Sequence, residues 1–301
     1  MSSAVGISIN DRFTTSRGGT RVAFRVEGSG APVVLSNGLT TTTNFWDYLR
    51  PRLLSQHRVL TWDLPGHGAS GPAQCEQDAC IEGQPAIVAQ LMDELEMDAA
   101  VQVGWSTGCQ VVLELCRVRP HRVAAMVLLL GGAGRVLDTA ALPLPGALLD
   151  VVVRRVPRPL FARSVDVMSR LANAPLGHVL PRRLNLIGPD TAAGDARRIT
   201  THLRAIDAAT VQTMIASAQA HSAWEALGGI TQRTLIVAGD LDPFAPSEQV
   251  GVKMHEAMQA STLLRLPRGT HTALLDHAAE IGDALERFLA SPPTPPTSPT
   301  H

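Results

Sequence analysis

The chain has 301 residues, of which 45% are hydrophobic, 18% charged and 4% aromatic, and its 26 basic and 27 acidic side chains leave a net charge of −1. A chain this long can bury a core that keeps water out of a site without disulfides or a structural metal. The near-zero charge argues against a nucleic-acid partner, and a single lysine, Lys253, excludes a phosphate-binding loop and weakens any case for Schiff-base chemistry.

The first segments, ISINDRFTT and TRVAFRVEG, alternate apolar with polar residues, as half-buried antiparallel strands do. After the Gly28-Ser29-Gly30 turn, PVVLSNG is a short continuous apolar run, the mark of a strand covered on both faces. A helical segment follows with Phe45, Leu49, Leu53 and Leu54 on one side. Then come strand RVLTWDL, helix PAIVAQLMDELE, strand AAVQVGW, helix GCQVVLELCRV and strand VAAMVLLLG. This alternation predicts an α/β fold with a mostly parallel, doubly wound sheet.

The rhythm stops after Gly134. Up to about Ile230 the sequence shows only Pro-punctuated helical stretches: GALLDVVVRRV, SVDVMSRLAN and RITTHLRAIDAATVQTMIASAQAH. Strand RTLIVAGD, helix SEQVGVKMHEAMQ, strand STLLRLPRG and helix AAEIGDALERFL complete the pattern. The expected organisation is a core over 1–134 and 231–290, interrupted after the sixth strand by a helical cap over 135–230. The Pro/Thr-rich tail, 291–301, is expected to be disordered. The cap holds 11 arginines against 7 acidic residues, net +4, while the remainder carries −5. This basic surplus favours an anionic substrate or acidic partner, or merely lies on solvated helix faces.

The N-terminus, MSSAVGISINDRF, has no basic start followed by an apolar run, so no export signal is expected. The apolar stretch from Val123 into Ala133 is too short for a bilayer, which needs about 20 residues. A cytoplasmic protein without a membrane contact is expected, with Cys75 and Cys80 as unpaired thiols. His255-Glu256 begins a zinc-protease pattern, but Gln259 stands where the second histidine belongs, so no metal is expected.

The sharpest signal is Gly104-Trp105-Ser106-Thr107-Gly108, set between a buried strand and a helix. So tight a turn lifts the serine hydroxyl clear of the sheet and aims the helix N-terminus at the same point. A serine needs a base to become nucleophilic. His271 lies in the loop after STLLRLP, and Asp242 and Asp240 lie in the loop after TLIVAG, all at strand carboxyl ends like Ser106. The order Ser106, Asp242, His271 is that of a Ser–Asp–His triad on an open α/β sheet. Gly66-His67-Gly68-Ala69-Ser70-Gly71 spells a dinucleotide fingerprint, but Pro72 follows and no helix opens there, so a structural turn is expected. Thr40–Thr43 are read as capping the next helix or lining the pocket.

On these motifs the chain resembles the capped α/β-hydrolases over roughly residues 15 to 290. WDLPGHGAS is similar to that family's D-x-x-G-x-G-x-S segment, and GDLDPFAP to its acid loop, which assigns the acid to Asp242 over Asp240. The resemblance implies oxyanion donors at the Leu39 and Thr107 N–H groups. It also places Asn37-Gly38 where the family usually has His-Gly, with the Asn37 amide sharing the bracing of the loop or touching substrate. Phe45 and Trp105 are candidates for contact with the acyl group, with core packing as the alternative. The function implied is hydrolysis of a small to medium apolar ester or lactone through an acyl-enzyme on Ser106, with no metal or organic cofactor. C–C bond hydrolysis, acyl transfer and perhydrolysis share the same triad, and a ligand-binding module is the alternative from another class.

Overall fold

The computed structural model describes residues 11–140, 146–174, 177 and 179–290. The tail at 291–301 and the start of the first expected strand lie outside them. Among the described residues the apolar runs form eight strands: β1 (Arg12–Thr15), β2 (Arg21–Glu27), β3 (Ala31–Ser36), β4 (His57–Trp62), β5 (Ala100–Trp105), β6 (Val123–Leu129), β7 (Thr234–Gly239) and β8 (Ser261–Leu266). They make one sheet in the order β1-β2-β4-β3-β5-β6-β7-β8. The two alternating segments pair antiparallel with each other, and β2 pairs antiparallel with β4. The continuous runs form the parallel part, from β4 to β8.

Strand period two divides the interior into two cores. Val34, Leu60, Trp62, Met126 and Leu128 face one side of the sheet, packed with Leu91, Met92, Val112 and Leu113 from helices Gln84–Glu94 and Thr107–Val118. Val33, Leu35, Val103, Val127, Leu129 and Val237 face the other, under Ile281, Leu285 and Phe288 of helix Ala278–Ala290. The strand order reverses at the centre, where β3 lies between β4 and β5. In open α/β sheets such a reversal leaves a crevice beyond the strands' carboxyl ends. Ser36 of β3 sits opposite Gly104 of β5, so the loops that follow these strands emerge side by side.

The insertion after β6 is helical, as expected: Gly146–Arg155, Arg158–Ala172, Val179–Arg183, Ala193–His202 and Ala208–Ala220. The stretch from 198 to 221, read as one helical run, is broken. Asp207 takes an extended conformation, accepts the Thr210 N–H and starts a new helix. That last helix ties the cap to the core. The Asp207 N–H donates to the Gly66 carbonyl at 2.8 Å, the Thr210 hydroxyl accepts the Ala73 N–H at 3.0 Å, and the Ala218 carbonyl accepts from Gln110 at 2.8 Å. Several cap arginines sit in local pairs, Arg135 with Asp138, Arg154 with Asp150 and Arg170 with Asp166, which fits solvated helix faces. The four cysteines are free thiols. Among the described residues no helix is long and apolar enough to cross a membrane.

Candidate active site

Ser106 is the residue between β5 and helix Thr107–Val118, and its backbone has φ 54° and ψ −120°. A non-glycine residue in this region is strained, so the surroundings must hold it there. The flanking glycines make that possible. A Cβ on Gly104 would lie 2.4 Å from the Gly108 carbonyl oxygen, and one on Gly108 would lie 2.2 Å from that of Ser36. Only hydrogen fits, which is why the turn reads G-x-S-x-G. The Ser106 N–H donates to the Leu129 carbonyl at 2.9 Å, anchoring the elbow to β6.

The three residues singled out in sequence meet in space. His271 Nε2 is 2.9 Å from the Ser106 hydroxyl, and Nδ1 is 2.9 and 3.0 Å from the two Asp242 oxygens. Asp242 is 1% exposed and also accepts the N–H groups of Phe244 at 2.9 Å and Ala245 at 3.1 Å. These bonds suit an ionised carboxylate held in one orientation. Asp240 lies apart, paired with the Ser247 hydroxyl and with Arg265.

Behind this row the aromatic candidates form a wall. The Trp105 indole N–H donates to the His271 carbonyl at 3.2 Å, and its ring stacks on Phe45 with centroids 4.1 Å apart. Phe244 meets the His271 ring edge-on at 4.8 Å. Phe45 and Trp105 are 6% and 3% exposed and belong to the second core, which fits the core-packing alternative; Trp105 meets His271 directly and Phe45 packs behind it.

The loop after β3 is braced from below. Asn37 is fully buried, donates to the Trp62 carbonyl at 3.0 Å and accepts from the Trp46 indole N–H. Both ends of its amide are occupied inside the protein, which fits the bracing role. Gly38 is pressed against the elbow, since a Cβ there would lie 2.8 Å from Ser106 Cβ. Leu39 follows, and Thr107 is the first residue of its helix, so its N–H has no intrahelical acceptor. The β3 loop and the first turn of this helix thus meet at Ser106. The Thr41 hydroxyl returns to the Gly38 carbonyl at 2.9 Å, and Thr42 starts the short helical turn Thr43–Trp46 without a side-chain cap, so the capping expected of these threonines is not realised.

Two supporting residues escaped the sequence reading, both in the glycine-rich turn after β4. His67 is fully buried; its Nε2 accepts the Thr40 N–H at 3.0 Å while Nδ1 faces the Pro65 carbonyl at 2.9 Å. Those partners select the neutral ring with its proton on Nδ1, and burial pushes its pKa down to about 4. Asp63 accepts the N–H groups of Thr43 at 3.1 Å and Ala69 at 3.0 Å. Burial raises its pKa to about 6, against the opposing effect of those two bonds. The turn predicted as structural is thus the floor of the β3 loop. Its motif was visible, but nothing in the sequence pointed its side chains at Thr40 and Thr43.

The family model for the alpha/beta hydrolase fold matches residues 31–278. The chain belongs to this family. Within it, the hydrolase is 26% identical over 292 residues to 2-hydroxy-6-oxononadienedioate/2-hydroxy-6-oxononatrienedioate hydrolase of Cupriavidus pinatubonensis, covering 93% of this chain and 95% of that protein. It is 34% identical over 119 residues to a putative non-heme haloperoxidase of Mycobacterium phage D29, a match that spans 39% of this chain and less than half, 42%, of the phage protein. A hydrolase from Pseudomonas aeruginosa PA01 superposes with a TM-score of 0.75 at 22% identity, over 95% of this chain and 100% of that one, and speaks for the fold alone.

Proposed function

We propose that this hydrolase cleaves a small to medium apolar carboxylic ester or lactone through an acyl-enzyme on Ser106. The observation that carries the reading is the unbroken row from Ser106 through His271 to Asp242, with 2.9 Å contacts on both sides of the imidazole. Asp242 holds the His271 proton on Nδ1 and leaves Nε2 as the base. His271 takes the Ser106 proton as Oγ attacks the carbonyl carbon, and the N–H groups of Leu39 and Thr107 receive the oxyanion. As the tetrahedral adduct collapses, the His271 proton passes to the leaving oxygen. Water, deprotonated by His271, then attacks the acyl carbon, and the acid departs as Oγ regains its proton. None of these steps calls for a metal or organic cofactor.

A second reading, hydrolysis of a C–C bond in a diketone by the same row, is supported by the similarity along 93% of the chain to a hydrolase of a 2-hydroxy-6-oxo dienedioate. Turnover of a series of nitrophenyl esters, a lactone and a 2-hydroxy-6-oxo dienoate separates the two. Fluorophosphonate labelling that disappears in Ser106→Ala ties either activity to the serine. Full esterase activity in Ser106→Ala would overturn the mechanism.

A further inference from the structure

The cap helix Ala193–His202 ends on a histidine with an unusual environment. His202 is 5% exposed, and both of its ring nitrogens are buried without a hydrogen-bond partner. The buried amides with an idle oxygen, Gln84, Gln102 and Gln212, bond through their other end, while the single hydroxyls of Thr61 and Ser169 are idle like His202. His202 leaves its whole polar capacity idle. Its ring lies 6.0 Å, centroid to centroid, from that of His67. His67 offers it nothing, because both of its own nitrogens already serve Thr40 and Pro65.

The position is as informative as the isolation. Thr40, held by His67, is the residue after Leu39, and Gly38 lies against Ser106. His202 therefore sits where cap meets core, one layer of side chains out from the loop that carries an oxyanion donor. Burial, and secondarily the neighbouring His67, push its pKa down to about 3, so the ring is neutral and presents one N–H and one lone pair. A buried donor and acceptor without partners are costly to a fold, and their presence in a native protein calls for an explanation.

We propose that His202 is a substrate contact, binding an uncharged oxygen function, a hydroxyl or a carbonyl, on the part of the substrate remote from the scissile bond. The inference rests on the hydrolase reading above and narrows its substrate class. A purely alkyl chain leaves both nitrogens unmade. A carboxylate could take only the ring N–H, and its uncompensated charge is opposed by this burial. A hydroxyl can accept from the ring N–H or donate to the bare nitrogen, and a carbonyl can accept from the N–H, so either function satisfies one of the two idle atoms.

The test compares nitrophenyl hexanoate and octanoate with their terminal-hydroxyl counterparts, on the wild-type chain, His202→Phe and His202→Gln. The readout is the ratio of kcat/KM for the hydroxylated ester to that for the plain ester. The wild type is expected to favour the hydroxylated ester at one of the two chain lengths. His202→Phe is expected to lower that ratio about tenfold, as loss of a hydrogen bond in a buried site does. His202→Gln retains a polar end, is expected to keep part of the preference, and serves where the phenyl ring disturbs the seam. Equal ratios in the wild type and both variants overturn the assignment and leave the hydrolase reading standing. Failure of the wild type to hydrolyse any of the four esters overturns both.

Discussion

Two helices of this chain, similar in length, have opposite surroundings. Thr107–Val118 buries 10 of its 12 residues, whereas in Arg158–Ala172 Ser169 is the buried residue among 15. The first follows Ser106 directly and is clasped by β3, β5 and β6. The second turns Leu160, Val167, Met168 and Leu171 outward, each between 47% and 65% exposed. The difference teaches where each task resides. Catalytic geometry must be held within a fraction of an ångström, so its supports come from the close-packed sheet and the helix beneath the elbow. A cap has to admit and shape a substrate, and its helices are fastened mainly along Ala208–Ala220.

The largest effects fall on the packed side. Ser106→Ala or His271→Ala is expected to lower kcat by about 10⁴-fold or more, and Asp242→Asn by a similar factor through the wrong histidine tautomer. Ester turnover with active-site titration measures each; loss of only a fewfold would break the link between packing and chemistry. Leu113→Ala, at a fully buried position of the elbow helix, is expected to destabilise the fold by about 2–5 kcal/mol, read from the urea midpoint. His67→Phe removes the acceptor for the Thr40 N–H and is expected to lower kcat about tenfold with little change in KM. Restoration of kcat by His67→Gln or His67→Asn, which return an acceptor, would confirm that positioning role.

The same histidines set an acid limit. His67 and His202 have folded pKa values of about 4 and about 3, below the ordinary 6.5, so the unfolded chain binds their protons more tightly. Their contribution is full above pH 6.5 and is lost as pH falls toward 4. Asp63 acts oppositely: with its pKa raised to about 6, the folded state holds the proton more tightly than the unfolded chain does, and acid favours it. The two histidines shift further than the one carboxyl, so the net expectation is a urea midpoint that drops between pH 6.5 and 4.5. His67→Phe should flatten that drop. The smallest effect belongs to the cap: Leu171→Ser, at a 65% exposed position, is expected to change stability by within about 0.5 kcal/mol. A large loss there would show that the outward face of Arg158–Ala172 is packed in solution.

Much of this is legible in the sequence alone. The continuous runs became the parallel strands and the two alternating runs the antiparallel edge, because burial on one or both faces writes itself into the period of the residues. Ser106, Asp242 and His271 were legible because each follows a strand, and strands of a parallel sheet deliver their following loops to one edge. The break at 203–207 was less visible, since Asp207 interrupts no apolar stripe and declares itself only by capping Thr210. For Asn37, Phe45 and Trp105 the sequence leaves two roles open, because an amide or a ring near a strand's carboxyl end has the same signature whether it faces a ligand or the core.

The sequence by itself determined the α/β layering, the elbow and the order of the three residues that meet at Ser106, since these follow from local periodicity and from glycines where no Cβ fits. Only the tertiary structure decided that His67 and Asp63 floor the β3 loop, that Asn37 faces inward, and that His202 of the cap lies beside His67. Those contacts join residues from separate elements through single hydrogen bonds or ring approaches. Their partners are chosen by packing in three dimensions, which no local pattern along the chain encodes.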